Sequence, residues 1–154
     1  MIVQAETNNS FKILGGGVEI LTLTATSNQT NLDAVFTTVA FQKTTTNTAR
    51  LTKTGNAVKI GKNIKKVLVN TNIWAHNVGG YAFVRVFKNS EIVAQAIANH
   101  DQHSFRNISI TSFIVEVIEN DLISVQIEML GGADKSVVGA QYGGSTYLTV
   151  QIIE

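Results

Sequence analysis

The side chains best suited to chemistry are three histidines, His76, His100 and His103. In the run His100-Asp101-Gln102-His103, two imidazoles and a carboxylate lie close together, and such groups are common zinc ligands. A polar loop between two strands has the same composition without binding anything, because polar residues are usual in turns. We therefore predict no metal site and no cofactor, and His100, Asp101 and His103 are the candidate ligands if a metal does bind.

Catalytic patterns are missing from the sequence. A serine hydrolase brings a serine, a histidine and an acid together, often with the serine in a G-x-S-x-G turn, and no such turn is present. A glycosidase needs two carboxylates roughly 5–9 Å apart. The acidic residues nearest one another in sequence flank a turn or lie on the polar face of a strand, and we interpret them as solvated charges: Glu116, Glu119, Asp121 and Glu128. The chain is predicted not to be an enzyme.

Composition excludes several other classes. The 154 residues fit one domain, and 44% hydrophobic with 15% charged residues is typical of a globular protein. A net charge of +1, with one small basic stretch at residues 59–66, predicts no nucleic-acid partner. No apolar run approaches the roughly 20 residues of a membrane-spanning helix. Cysteine is absent, and the N-terminal residues lack a signal-peptide pattern, so we expect synthesis in a cytoplasm.

Alternation of apolar and polar residues indicates β-strands throughout. It is clearest in Asp121–Met129, where every second residue from Ile123 is apolar, and it recurs in Thr146–Ile153 and Ile64–His76. Further strands are predicted at Glu19–Thr24, Ala34–Lys43, Tyr81–Lys88, Ile92–Ala98 and Ile108–Ile118. Many short strands with glycine-rich or asparagine-rich separators predict a sandwich or a barrel.

Glycine pairs at residues 79–80, 131–132 and 143–144 are interpreted as turns, with a mobile loop over residues 131–144. The triple glycine at 15–17 predicts a boundary. Residues 1–17 are expected to form an N-terminal arm or attachment segment, and residues 18–154 the main domain. A frayed or edge-packed terminus is the alternative for the first segment.

From about Leu32 onward, the order of motifs resembles the jelly roll of the tumour-necrosis-factor and complement-q-subunit family, including domains in phages of Gram-positive bacteria. The matching stretches are VAFQK, IKKVLVNTNIWAH followed by a glycine pair and YAFVRVFKNSEIV, IENDLISVQIEM, and STYLTVQIIE. Asn120 stands where the family has glycine, and asparagine adopts the same left-handed turn. The resemblance implies an all-β, two-sheet antiparallel jelly-roll sandwich that assembles as a homotrimer.

Four aromatic residues are expected on strand faces opposite the aliphatic core, and we predict that they form the subunit interface: Trp74, Tyr81, Phe83 and Tyr147. An exposed aromatic patch is unfavourable on a monomer, and burial between subunits removes it from water. Alternatively, these aromatics fill the ends of the protomer's own sandwich.

The resemblance implies a non-enzymatic bacteriophage virion protein, a trimeric fibre, tail or baseplate knob that contacts the host surface. Its partners would be further copies of itself, other virion proteins through the N-terminal segment, and host cell-wall carbohydrate. The predicted ligand-binding loops contain Asn99, His100, Asp101, His103, Asp134, Lys135 and Tyr142. Two alternatives stay open: a capsid head-fibre or decoration protein without a receptor role, and a bacterial surface carbohydrate-binding module.

Overall fold

The computed structural model describes residues 2–5, 11–14, 17–32, 35–100, 105–139 and 145–154. Every regular element in these ranges is a β-strand, which confirms the all-β prediction, and none of them contains a helix able to span a membrane. The strands are β1 (Ile2–Ala5), β2 (Phe11–Leu14), β3 (Ile20–Thr24), β4 (Gln29–Thr30), β5 (Thr37–Thr38), β6 (Lys43–Thr46), β7 (Leu51–Thr54), β8 (Ala57–Ile60), β9 (Lys66–Lys88), β10 (Glu91–His100), β11 (Phe105–Glu116), β12 (Leu122–Val137) and β13 (Tyr147–Ile152).

Strands β3 to β13 form one antiparallel hydrogen-bonded sheet that is organised around β9, whereas β1 and β2 pair with each other in a separate two-stranded sheet. The first half of β9 pairs with β11 and β13, and β3 and β6 continue beyond β13. We call this set layer one. The second half of β9 pairs with β10 and β12, and β8 and β7 continue beyond β12. We call this set layer two.

Strand β9 supplies both layers because its buried side changes at a glycine pair. Odd-numbered residues from Val67 to Ala75 are buried, and even-numbered residues from Ala82 to Val86 are buried after the pair. Gly79 has a φ of 72°, a left-handed conformation that favours glycine. The strand therefore bends and shifts its alternation by one residue, and the interior is kept continuous across the two layers.

The interior is aliphatic and follows the predicted alternation. In β12, Ile123, Val125, Ile127 and Met129 are fully buried, and in β13 Leu148 and Val150 are fully buried. Burial of each such side chain contributes on the order of 1.5–3 kcal/mol. Packing of these faces against one another is the main source of the stability of the fold.

Two glycine pairs predicted as turns lie inside strands instead. Strand β9 runs through residues 79–80, and β12 runs through residues 131–132 to Val137. Gly131 and Gly132 have φ values of 62° and 68°, so these glycines bend the strand rather than end it. The predicted strand Ala34–Lys43 was also wrong, since among its described residues only Thr37–Thr38 and Lys43 belong to strands.

The turn before β12 has the predicted left-handed geometry, with a φ of 74° at Asn120. The neighbouring carboxylate of Asp121 is not a solvated charge, which corrects that interpretation. Its side chain is buried and accepts hydrogen bonds from Nδ2 of Asn89 at 2.8 Å and from the backbone N–H of Ile118 at 2.9 Å. Asp121 is thus a structural residue of this turn.

Candidate functional site

The four predicted interface aromatics occupy outward-facing positions, two on each layer. On layer one, Tyr147 of β13 pairs with Asn72 of β9. Asn72 and Trp74 are two residues apart in the same strand and point to the same side, so Trp74 and Tyr147 share a face. On layer two, Tyr81 and Phe83 alternate with buried residues of β9. The structure therefore brings the four together in pairs and not as one group. Their role in a subunit interface stays a prediction.

Phe105 joins the layer-one pair and was missed by sequence reasoning. Its ring centroid lies 5.7 Å from that of Trp74 in an edge-to-face arrangement, and 4.5 Å from that of His76. Phe105 is 43% exposed, so this cluster presents apolar surface to solvent. We call Trp74 and Phe105 the aromatic patch, and His76 lies at its edge. The predicted strand began at Ile108, three residues later, and the pairing of Phe105 with His76 is visible only in the structure.

A second apolar surface lies on layer two. Tyr81 faces Leu130 of β12, and Phe83 faces Ile97 of β10. Tyr81 is 49% exposed and Ile97 is 57% exposed. We call Tyr81, Phe83, Ile97 and Leu130 the layer-two patch. The domain thus exposes apolar groups on both layers.

Between the aromatic patch and the bulge of β11 near Ser112, the outer face of layer one carries polar side chains that hydrogen-bond to one another. Nδ2 of Asn72 donates to the Asn107 side chain at 3.1 Å, and its Oδ1 accepts from the Ser109 hydroxyl at 2.7 Å. Oδ1 of Asn70 accepts from the backbone N–H of Ser112 at 2.7 Å, where the strand bulges. These amides are used by the fold itself.

Of the predicted ligand-binding residues, Asp134 and Lys135 line a pocket of about 610 Å³ at one end of the domain. The pocket is walled by three segments: residues 30–32, His76 in β9, and residues 132–136 in β12. Asn99 of β10 is exposed and pairs with Tyr81 of β9, and it is not part of the pocket lining. The side chain of His100, together with Asp101, His103 and Tyr142, lies outside the described residues.

His76, Asn31 and Leu32 are pocket residues that sequence reasoning did not select. Nδ1 of His76 lies 2.9 Å from the backbone oxygen of Asp134, and the backbone N–H of Leu32 bonds to the carbonyl of Lys135 at 3.5 Å. These contacts join segments that lie far apart in the sequence. No local pattern announces such a pocket.

Ionic interactions lie elsewhere on the surface. The Arg50 side chain and the Thr48 hydroxyl bond to the Glu19 carboxylate, and they lower the pKa of Glu19 to about 2. The Lys66 ammonium lies 2.7 Å from the Glu154 carboxylate and lowers its pKa. Within the described ranges, no three histidine or acidic side chains are grouped as metal ligands.

No protein-family model matches the sequence, and no curated protein matches it. Solved structures do match. The chain is similar to murine APRIL at pH 8.5, with a TM-score of 0.68 and 16% identity over 89% of this chain and 100% of that one. It is also similar to Eiger TNF from S. frugiperda, with a TM-score of 0.63 and 9% identity over 89% of this chain and 93% of that one. At such identities the likeness concerns the fold alone, and the fold of this chain is a TNF-like jelly roll.

Proposed function

We propose that this protein is a non-enzymatic structural module that works as a homotrimer, in which the jelly roll serves as a rigid knob. The observation that carries the proposal is the pair of exposed apolar surfaces, the aromatic patch on layer one and the layer-two patch on layer two, in one small domain. A closed ring of three copies uses two different surfaces of each subunit, because its contacts are head-to-tail. Two separate apolar patches suit that requirement better than one would.

The proposed setting is a bacteriophage particle, where the knob contacts the host surface. Support comes from the order of sequence motifs described above and from the TNF-like fold. The separate β1–β2 sheet suits attachment to another virion protein, because an isolated two-stranded hairpin is only marginally stable in water. A third strand from a neighbouring protein would stabilise it. A decoration protein without a receptor role, or a bacterial carbohydrate-binding module, would have the same fold and a different partner.

The test of assembly is the native mass of the purified protein, by light scattering or native mass spectrometry. The proposal expects a stable species near three times 16.6 kDa. A monomer at all concentrations would refute the trimer.

The test of function is binding to intact Gram-positive cells, with release of cell-wall fragments measured in parallel. Cell binding without release supports host contact. Release of fragments would contradict the non-enzymatic assignment. Binding to particle proteins with no cell binding would favour the decoration alternative.

A further inference from the structure

The pocket at residues 30–32, 76 and 132–136 is framed by strand pairing. Ser136 pairs with Thr30 where β12 meets β4, and the bond from Leu32 to the carbonyl of Lys135 extends that junction. His76 is held from the other side through the backbone oxygen of Asp134. The pocket is an open depression of about 610 Å³, a volume comparable to that of small-molecule sites that are more enclosed. The walls are fixed by strand pairing and not by loops alone.

The polar side chains in this pocket have unused hydrogen-bonding capacity. Within the part of the chain that the structure describes, the side chains of Asn31, Asp134, Lys135 and Ser136 make no hydrogen bond or ion pair. Gln29, two residues from Asn31, behaves differently: its amide donates to the carbonyl of Thr38 at 3.1 Å and accepts from a backbone N–H at 3.0 Å. Polar groups near the pocket serve the fold, whereas those in the pocket remain available to a ligand.

The backbone holds these groups in unusual conformations. Asn31 has a φ of 56° and Asp134 a φ of 54°, and both lie in the left-handed region that few residues other than glycine adopt. Asparagine and aspartate adopt this region more readily than most residues, and Asn63, Asn89, Ser112 and Asn120 share it outside the pocket. The register shift between Ala133 and Ser136 places Asp134 and Lys135 outside the regular ladder. The two charged groups are therefore presented to the pocket by a β-bulge.

The chemistry of the lining favours a neutral polyhydroxyl ligand. The charges of Asp134 and Lys135 cancel, so the pocket has no excess of positive charge for a phosphate. The carbonyl of Asp134 can only accept, so Nδ1 of His76 donates in this contact and Nε2 is left for a ligand. The exposed Ala133 and the small accessible part of Leu32 add an apolar surface. Donors, acceptors and an apolar surface in one small pocket match the mixed character of a sugar ring.

We propose that this pocket binds one pyranose unit of a neutral glycan. The Asp134 carboxylate accepts from a sugar hydroxyl, and Nε2 of His76 bonds to a second hydroxyl. Lys135 and the Asn31 amide donate to sugar oxygens, and Ala133 contacts the apolar side of the ring. As the glycan contact of a host-binding knob, the site rests on the proposed function. Sugar binding itself can be measured on the isolated protein, whatever its place on a particle.

The experiment titrates isotope-labelled protein with glucose, galactose, rhamnose, N-acetylglucosamine and N-acetylgalactosamine, and follows amide NMR shifts. Inorganic phosphate is the comparison ligand. We expect at least one sugar to shift the amides of residues 30–32 and 132–136 with a dissociation constant on the order of 1 mM. No shift there with any sugar, or larger shifts with phosphate, would overturn the proposal.

Variants separate the pocket from non-specific effects. Asp134→Asn keeps a residue that tolerates positive φ and should weaken sugar binding by about tenfold, since a charged acceptor is lost. Asn31→Gly removes the amide without backbone strain and should weaken it by about fivefold. Asn63→Gly is the matched control, because Asn63 also has a positive φ of 58° and lies outside the pocket. Unchanged affinity in both pocket variants, or an equal loss in the control, would overturn the assignment.

The outcomes distinguish this inference from the proposed function. A trimer that binds cells but shows no pocket-localised shifts retains the function and refutes the site. A monomer with pocket-localised shifts retains the site and refutes the trimer. If both pocket variants bind cells as well as wild type does, host contact belongs to another surface.

Discussion

Asn89 and Asp121 join two turns that lie 32 residues apart in the sequence, through a hydrogen bond of 2.8 Å from Nδ2 of Asn89 to Oδ1 of Asp121. A second hydrogen bond joins the same two turns, because Oδ1 of Asn89 accepts from the backbone N–H of Leu122 at 2.9 Å. Asn89 and Asn120 both have positive φ, at 56° and 74°. Asp121 is only 8% exposed, so this contact is shielded from competing water.

Asp121→Ala is expected to destabilise the fold by about 2–3 kcal/mol, because buried donors lose their charged acceptor. Urea unfolding at matched protein concentration measures the change in the free energy of unfolding. Glu119→Ala in the same turn is the control, and as an exposed position it should stay within about 0.5 kcal/mol of wild type. Equal losses in both variants would contradict the structural role of Asp121.

Glu19 should make part of the stability dependent on pH. Its folded-state pKa of about 2 lies below the ordinary value of 4.5, because Arg50 and then Thr48 stabilise the carboxylate. The unfolded chain therefore binds more protons in this window, and the contribution is present above pH 4.5 and is lost as pH falls towards 2. The free energies of unfolding of wild type and Glu19→Gln should converge as pH falls from 4.5 towards 2. A constant difference at every pH would rule out this linkage, and Glu91→Gln serves as an exposed control.

Gly80 is expected to tolerate no side chain. A Cβ at this position would lie 2.5 Å from both Nδ2 of Asn77 and the carbonyl oxygen of Leu130, where β9 and β12 approach closely. Gly80→Ala should destabilise the fold by about 1–3 kcal/mol through overpacking. Gly17→Ala, where a Cβ meets nothing within 4 Å, is the control. Thermal unfolding compares the two variants. If Gly80→Ala were as stable as wild type, β9 and β12 could move apart at this point without a loss of stability.

Substitution of the outward aromatics should dissociate the proposed trimer. Trp74→Lys or Tyr147→Lys would place a charge in an apolar contact, and the native mass should fall to that of a monomer. Phe83→Lys tests whether layer two takes part. Thr52→Lys in the exposed edge strand β7 is the control and should leave the mass unchanged. A trimer that survives both layer-one variants would exclude the aromatic patch face from the interface.

The alternation of apolar residues was enough to predict the long strands and their buried faces. Ile123 and Met129 are buried as the period requires, and Trp74 and Tyr147 face outward as expected. The short strands β4 and β7 gave no such pattern and were not predicted. In β7, Thr52 and Thr54 are exposed and only Leu51 is buried, so these four residues read as an ordinary polar segment.

Glycines and the pocket were harder to predict for a different reason. A glycine pair signals positive φ but does not tell whether the chain turns or bends through a strand, and Gly79 bends. The pocket brings Asn31, His76 and Asp134 together by strand pairing over long separations. The local sequence does not predict that pairing, so Asp134 was selected for its loop-like surroundings, and His76 was noted as a histidine but not as a ligand-binding residue.

The shared strand β9 has a consequence for how the molecule opens. Strand β9 forms hydrogen bonds to β11 and β13 in one layer and to β10 and β12 in the other. Detachment of either layer would therefore leave backbone groups of β9 without partners. The domain should therefore behave as one foldon in hydrogen exchange, with the amides of residues 66–88 exchanging together through global unfolding. Because most strand partners are distant in sequence, folding should be slow and concerted, with entropy lost before the pairing is complete.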